Sequence, residues 1–212
     1  MKILLATHNN NKKKEILDIL HDNNVKNIEL VTLEDLGDID DIEENGKTFK
    51  DNAFLKASYG YKKFGLPCIA DDSGLEVEAL NGAPGIYSSR YSGLGSEGNI
   101  DLLLKNTEGV NNRKCNFICV ICYIDDSGID HYFEGYVYGN VGKKRVGNNG
   151  FGYDPVFMID ENRSMASIKE QEKNKISHRY KALIKFADYL NEVKKNENNW
   201  YALWYYQWIN ER

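Results

Sequence analysis

The sequence has no long apolar run. No segment of its 212 residues approaches the roughly 18 consecutive apolar residues that a membrane-spanning helix requires. The apolar stretch at its start, from Ile3 to Ala6, is too short for the core of a signal peptide. These absences predict a cytoplasmic protein with no membrane partner.

Excess positive charge is absent as well. The formal net charge is -5 at pH 7, which disfavours nonspecific binding to nucleic acid or to an anionic membrane. A local basic pocket that receives a polyphosphate remains compatible with this charge. A free nucleotide suits this charge better than a nucleic-acid duplex does, and we predict no nucleic-acid partner.

The cysteines lack a metal-binding spacing. Three of them, Cys115, Cys119 and Cys122, lie in a β-branched and aromatic run that is typical of a buried strand. In a strand Cys115 and Cys119 share one face and Cys122 lies on the other, so the three thiolates cannot surround one zinc ion. We predict buried free cysteines that act as small apolar residues.

Apolar periodicity alternates between strands and helices along the chain. The pattern predicts strands at 2–6, 28–32, 67–70, 115–124 and 131–138, and helices at 12–20, 48–64 and 170–193, the last one interrupted near Ser177. At 212 residues and 42% hydrophobic content the chain is long enough for one large core. We predict a single α/β domain, a central mixed twisted β-sheet flanked by helices, with a site in a cleft at the strand ends.

The end of the chain has a different composition. An asparagine-rich patch leads into an aromatic segment in which Trp200, Trp204 and Trp208 fall at i, i+4 and i+8, a helical stripe. We predict a domain over 1–194 and an aromatic C-terminal extension over 195–212. Packing of the stripe on its own domain or on a second subunit is favoured over a ligand platform.

Four polar clusters carry the candidate chemistry. The first, around Thr7, Asn9 and Lys12, lies where a strand ends and a helix begins, so backbone N–H groups and the helix dipole could face phosphate oxygens. The glycines of a Walker loop are missing, and a helix N-cap followed by solvated lysines is the alternative. The second joins the acidic loop at Glu44 to a helix that carries Lys56, and Thr48 could equally be only that helix's N-cap.

The third cluster is Asp71-Asp72-Ser73, which we place at a turn after an apolar run. Successive side chains in an extended segment point to opposite sides, so only one of the two carboxylates should face the site and the other could orient a neighbour. Carboxylates suit Mg²⁺, which binds one or two of them together with substrate phosphates. A solvated turn is the alternative interpretation.

The fourth cluster combines an aromatic motif with basic residues near the end of the domain. The aromatic ring of Phe151 can stack on a purine, and the side chains of His178 and Arg179 can donate hydrogen bonds to a 6-oxo group. A buried donor would be left unpaired against the 6-amino group of adenine. A surface His-Arg pair is the alternative.

These motifs, in this order, resemble the inosine triphosphate pyrophosphatase family from about Lys2 to Leu190. The longest shared string is Glu-Glu-x-Gly-x-Thr-Phe-x-x-Asn-Ala-x-x-Lys, which matches residues 43–56. Family members hydrolyse noncanonical purine nucleoside triphosphates such as ITP, dITP and XTP to the monophosphate and pyrophosphate, which cleanses the nucleotide pool of deaminated purines. His8 departs from the glycine that is usual at its position.

The resemblance implies a role for each site residue. Asp72 would be catalytic, and Glu44 and Asp72 would bind Mg²⁺, for which Mn²⁺ could substitute. The phosphates and the rest of the substrate would be bound by Thr7, Asn9, Lys12, Lys56, Ser73 and Lys173. The base would be bound by Phe151, Tyr153, Asp154, His178 and Arg179. The resemblance also implies a homodimer. A related pyrophosphatase with another base preference and a non-enzymatic nucleotide sensor are the two alternatives.

Overall fold

A computed structural model describes the backbone of residues 1–8 and 10–210 and the side chains of residues 1–8 and 12–196. Two sequence predictions fall outside this range, the phosphate contact of Asn9 and the stripe formed by the side chains of Trp200, Trp204 and Trp208. None of the helices in the described part of the chain combines the length and the apolar character that a bilayer crossing requires.

The core of the fold is a mixed six-stranded sheet with the order β2-β1-β3-β4-β5-β6. Its strands are β1 (Lys2–Leu5), β2 (Glu29–Thr32), β3 (Cys68–Val77), β4 (Lys114–Ile124), β5 (Asp130–Val141) and β6 (Phe157–Met158). The strand β1 runs parallel to β2 and to β3, and the remaining pairs are antiparallel. The predicted α/β class and the mixed sheet are confirmed, and the predicted strands at 115–124 and 131–138 correspond to β4 and β5.

Helices cover both faces of the sheet. They are α1 (Asn10–Asp22), α2 (Phe49–Phe64), α3 (Gly95–Asn106), α4 (Glu170–Ile176) and α5 (His178–Asn210). One cluster of buried side chains joins α1 and α5 to the sheet, through residues such as Ile16 and Phe186. A second joins α2 to the opposite face, through Ala53 and Ala57. The predicted break at Ser177 is confirmed, whereas α3 was not predicted.

The predicted turn at Asp71-Asp72 is wrong. Both residues lie inside β3, where Asp71 pairs with Ile121 and Asp72 pairs with Val120 of β4. The polar string resembles a turn in sequence, but strand propensity depends on context. Here ten residues of β3 have partners on β4, and this long ladder overrides the local preference.

The cysteines are buried and free, as predicted. Cys119 packs in the core beneath α1 and α5, whereas Cys122 packs in the core beneath α2. Burial raises the pKa of the Cys119 and Cys122 thiols to about 12. They therefore remain protonated near neutral pH and serve as apolar packing groups.

Candidate active site

The strand β3 directs Asp71 toward the α1 and α5 side of the sheet. Its carboxylate accepts a hydrogen bond from Lys12 Nζ at 2.9 Å and lies 3.2 Å from Arg179 Nη2. Burial opposes the charge of Asp71, but Lys12 and Arg179 hold the pKa of this carboxyl well below its usual range. Asp71 is thus ionised and fixes two cations, Lys12 from α1 and Arg179 from α5.

Asp72 points the other way, toward α2. Asn52 Nδ2 donates to Asp72 Oδ2 at 3.1 Å, and Lys56 Nζ lies 3.6 Å from Asp72 Oδ1. Burial raises the pKa of Asp72 above its usual value, although Lys56 and Asn52 act against the shift. The prediction that the two neighbouring carboxylates face opposite sides is therefore confirmed.

Lys56 lies between two carboxylates. Its ammonium donates to Glu44 Oε1 at 2.6 Å as well as approaching Asp72. Burial alone would lower the pKa of Lys56, but the charges of Asp71, Asp72 and Glu44 raise it above its usual value. The ammonium is therefore a fixed positive charge at the point where Glu44 and Asp72 converge.

The helix α2 carries Asn52 and Lys56 and begins just after Thr48. Thr48 is the N-cap, its hydroxyl accepting from the Asp51 N–H at 3.1 Å while the Asp51 carboxylate accepts from the Thr48 N–H at 3.0 Å. This reciprocal pair of bonds is a capping box, which fixes the first turn of the helix. The capping interpretation of Thr48 is confirmed. Asn52 and Lys56, spaced i and i+4, then lie on the same helix face, toward β3.

A divalent cation fits this arrangement as a two-carboxylate site. Glu44 Oε1 and Asp72 Oδ1 lie 2.6 Å and 3.6 Å from the same Lys56 ammonium, so the two carboxylates border the same space. Mg²⁺ commonly binds one or two carboxylates and completes its shell with water and substrate phosphates. The described part of the chain contains no group of three or more His, Cys, Asp or Glu side chains that could hold a metal ion. A cation bound by Glu44 and Asp72 would therefore need water or substrate phosphates to complete its coordination.

A second group forms around Asp154, which is buried. Its Oδ2 accepts from the Phe151 backbone N–H at 2.8 Å and from the Lys173 ammonium. Lys173 Nζ lies 4.3 Å from the centre of the Phe151 ring, and Phe151 is 71% exposed. Asp154 thus holds both the loop and the lysine in place and leaves an aromatic surface open to a flat ligand.

His178 lies between the two groups. Its ring stacks on Phe117 with the centroids 5.0 Å apart, and its buried Nδ1 has no hydrogen-bond partner among the described residues. Burial lowers the pKa of His178 to about 3, and the nearby charges of Arg179 and Lys173 also lower it, while Asp71 acts in the opposite direction. The imidazole is therefore neutral at pH 7.

The remaining predicted residues lie around these groups. Thr7 follows β1, and its carbonyl accepts from the Leu33 N–H at 3.2 Å. Ser73 lies next to Asp72 on β3, with its hydroxyl buried near the Cys119 thiol. Tyr153 is buried, and its hydroxyl donates to the Ser88 carbonyl at 2.9 Å. Tyr153 thus anchors the loop that carries Phe151, and its hydroxyl has a protein partner.

Sequence reasoning missed three residues that touch the predicted ones. Arg90 Nη1 lies 3.9 Å from Glu44 Oε2, Glu15 Oε2 lies 3.8 Å from Arg179 Nη1, and Asn52 binds Asp72. Asn52 is part of the string at residues 43–56 that resembles the family, which was the signal available for it. Glu15 belongs to the polar side of α1, where nothing in the sequence distinguishes it from a solvated residue.

The fold and the site define an α/β protein in which the carboxylates of β3 lie against a lysine of α1, a lysine of α2 and an arginine of α5, a set suited to a phosphorylated ligand. The family model described as "Ham1 family" matches residues 3–189. The chain belongs to the Ham1 family.

Individual relatives agree with this assignment. The dITP/XTP pyrophosphatase of Desulfotalea psychrophila is 46% identical over 184 residues, which covers 85% of this chain and 81% of the relative. That of Porphyromonas gingivalis is 43% identical over 193 residues, covering 89% of this chain and 97% of the relative. The Ham1 protein of Staphylococcus aureus has a similar solved structure, with a TM-score of 0.84, 36% identity and coverage of 91% of this chain and 99% of that chain.

Proposed function

We propose that this protein is a nucleoside triphosphate pyrophosphatase that hydrolyses ITP, dITP and XTP to the monophosphate and pyrophosphate with Mg²⁺. The observation that carries the proposal is the position of Lys56 between Glu44 and Asp72, with Asp71, Lys12 and Arg179 on the other side of the same strand. The dITP/XTP pyrophosphatases named above support the substrate class. Such an activity would cleanse the nucleotide pool of deaminated purines.

The cations supply the electrostatic part of the mechanism. Lys12 and Lys56 would offset the negative charge of the triphosphate, with Thr7, Asn9 and Ser73 as further phosphate contacts. Both lysines already face carboxylates, so the bound phosphates would share or replace these partners. Glu44 and Asp72 would hold Mg²⁺, which when bound neutralises phosphate oxygens and favours departure of the pyrophosphate; Mn²⁺ could take its place.

Asp72 would orient and deprotonate the attacking water. Water attacks the α-phosphorus, the bond to the bridging oxygen of pyrophosphate breaks, and the proton passes to the Asp72 carboxylate. Burial raises the pKa of Asp72, which makes this carboxylate a better general base than an exposed one. No covalent enzyme intermediate is required.

The second group would select the base. The exposed ring of Phe151 would stack on the purine, and Lys173 and Asp154 would hold that ring in place. Arg179 and the neutral imidazole of His178 can donate to a 6-oxo group but would face another donor in adenine. Tyr153 would act through the position of its loop. Unpaired buried donors discriminate strongly between such substrates.

Product analysis by ³¹P NMR tests the proposal. The purified protein is incubated with Mg²⁺ and either ITP or ATP. We expect IMP and pyrophosphate from ITP, with ATP largely spared. Formation of IDP and phosphate would contradict attack at the α-phosphorus, and equal turnover of ATP would contradict selection of the 6-oxo group.

We propose in addition that the protein works as a cytoplasmic homodimer on free nucleotides, without nucleic-acid or membrane partners. The net charge of -5 supports the absence of polyanionic partners. The exposed side chains of Tyr87, Leu94 and Tyr138 offer apolar surface that a second subunit could cover. Sedimentation velocity tests the dimer, and a single species at the mass of one chain would contradict it.

A further inference from the structure

Asn52 forms two hydrogen bonds that connect the two proposed metal ligands. Its side chain is fully buried at the start of α2. Asn52 Oδ1 accepts from the Gly46 backbone N–H at 2.8 Å, and Asn52 Nδ2 donates to Asp72 Oδ2 at 3.1 Å. One amide thus joins the loop that carries Glu44 to the strand that carries Asp72.

The two partners fix the orientation of the amide. A carboxylate accepts and a backbone N–H donates, so only the observed orientation makes both bonds, whereas the flipped one would make neither. No other common side chain of this size offers a donor and an acceptor on one rigid plane. Aspartate would place a second carboxylate against Asp72, and leucine would make no bond at all.

Gly46 can lie close to Asn52 because it has no side chain. A Cβ at position 46 would lie 2.6 Å from Asn52 Oδ1 and 2.6 Å from Asp51 Cβ, distances that a real side-chain carbon does not reach. A residue without a side chain therefore allows the loop to approach α2 this closely. Glu44 lies only two residues earlier, so the Gly46 contact limits where its carboxylate can reach.

Glu44 needs such a support because its segment is irregular. No helix or strand is assigned between Gly37 and Thr48. An ion pair holds the start of this segment, with Lys63 Nζ 3.0 Å from Asp38 Oδ2. Glu44 itself contacts two further side chains: its carboxylate accepts from Lys56 Nζ at 2.6 Å, and its carbonyl oxygen lies 3.5 Å from Arg90 Nη2. Of the two contacts with the backbone of this segment, the Gly46 bond to the buried Asn52 amide, at 2.8 Å, is shorter than the one from Arg90.

We infer that Asn52 is a positioning residue that sets the distance between the Glu44 and Asp72 carboxylates and so prepares them to share one divalent cation. The inference rests on the proposed function in that it assigns these two carboxylates to the metal. It adds to that function a residue that touches neither the metal nor the nucleotide. Loss of an outer contact of this kind typically weakens metal affinity about 10- to 100-fold.

The experiment compares Asn52→Ala and Gly46→Ala with the matched control Thr48→Ala. The control removes the N-cap of the same helix and replaces none of the three residues that form the Gly46–Asn52–Asp72 contacts. Binding of Mn²⁺ alone is measured by electron paramagnetic resonance, and exchange of the Gly46 amide is measured by NMR. Turnover of ITP is followed as a function of Mg²⁺ concentration, which separates the half-saturating Mg²⁺ concentration from kcat.

We expect both test variants to weaken Mn²⁺ binding by about tenfold or more and to raise the half-saturating Mg²⁺ concentration more than they lower kcat. In Asn52→Ala, exchange of the Gly46 amide should accelerate. The Thr48→Ala control should leave Mn²⁺ binding within about twofold of the unchanged protein. If Asn52→Ala fails to fold, Gly46→Ala tests the same contact from the loop side.

The inference is overturned if both test variants bind Mn²⁺ like the unchanged protein, or if Thr48→Ala weakens binding as much as they do. Either result, with normal ITP turnover by the unchanged protein, leaves the proposed function standing. If the unchanged protein releases no pyrophosphate but Mn²⁺ binding still depends on Asn52 and Gly46, the function fails and the positioning role stands.

Discussion

Asp71 and Asp72 are neighbours with the same side chain, yet the fold moves their pKa values in opposite directions. Burial opposes ionisation of both, but Asp71 faces Lys12 and Arg179, which hold its pKa low, whereas Asp72 keeps a raised pKa. Groups whose environments push their pKa values apart commonly have different roles at one site. Asp71 orients cations, and Asp72 is suited to accept a proton.

Replacing Asp72 with Asn should lower kcat for ITP by about 10³-fold, because a general base contributes roughly 10² to 10⁴. The melting temperature should not fall. The raised pKa means that the folded state disfavours the Asp72 charge, so stability decreases as pH rises through this pKa and a neutral amide avoids the penalty. Pyrophosphate release and thermal unfolding at pH 7 measure the two effects, and retained activity would refute the assignment of Asp72.

Replacing Asp71 with Asn should destabilise the protein by about 3 kcal/mol or more at pH 7, since it leaves Lys12 and Arg179 without their buried counter-charge. The folded pKa of Asp71 lies below its unfolded value, so its stabilising contribution is present above about pH 4 and is lost as pH falls further. Urea unfolding between pH 7 and 3 tests this. The difference in free energy of unfolding between the unchanged protein and the Asp71→Asn variant should shrink toward pH 3. A difference that stays constant with pH would contradict the stabilising role of the Asp71 charge.

Residue types at the site could be predicted from the sequence, but their partners could not. Alternation along a strand predicted that Asp71 and Asp72 diverge. That the Tyr153 hydroxyl binds Ser88, and that Asp154 binds Lys173, depends on which loops meet in space. Local patterns carry no information on such contacts, so the resemblance supplied a set of site residues without their geometry.

Elements with strong periodicity were predictable, and those shaped by their neighbours were not. The helix α2 and the break at Ser177 follow from apolar spacing and capping. The strand β3 extends to Val77 because β4 pairs with it, even though its sequence contains Asp-Asp-Ser-Gly. The short strand β6, Phe157–Met158, exists only as a partner of β5, which no local pattern predicts.

The contact between β5 and the first turn of α5 depends on Gly135. A Cβ there would lie 2.0 Å from the His178 carbonyl oxygen and 2.5 Å from the Ala182 nitrogen. Because both atoms are backbone, Gly135→Ala must displace the helix, and we expect a loss of about 3 kcal/mol together with weaker binding of ITP. Urea unfolding and isothermal titration with a nonhydrolysable ITP analogue measure these changes. A variant with the stability and affinity of the unchanged protein would show that the helix is free to shift.

At the scale of the whole molecule, the strand order explains where the site forms. The chain passes from β1 outward to β2 and then crosses by α2 to β3 on the other side of β1. Such a reversal opens a crevice at the carboxyl ends of the parallel strands, where ligands commonly bind. Thr7 follows β1, and Asp71 and Asp72 lie beyond the part of β3 that pairs with β1. Segments far apart in sequence thereby supply one site.

The C-terminal extension should be dispensable for catalysis. The proposed site residues end at Arg179, Leu190 is the last buried residue of the core beneath α5 among the side chains that the structure describes, and the family model ends at residue 189. A chain shortened to residues 1–194 keeps all of these, including Lys194, whose Nζ donates to the Lys26 carbonyl. We expect kcat and KM for ITP to stay within about twofold, a change of less than about 0.5 kcal/mol in transition-state stabilisation.

A shortened chain that keeps its circular dichroism spectrum but loses turnover would show that residues 195–212 take part in the site. Sedimentation velocity on the same pair of proteins separates that outcome from loss of a subunit contact, because only the latter would also change the sedimenting mass beyond the residues removed.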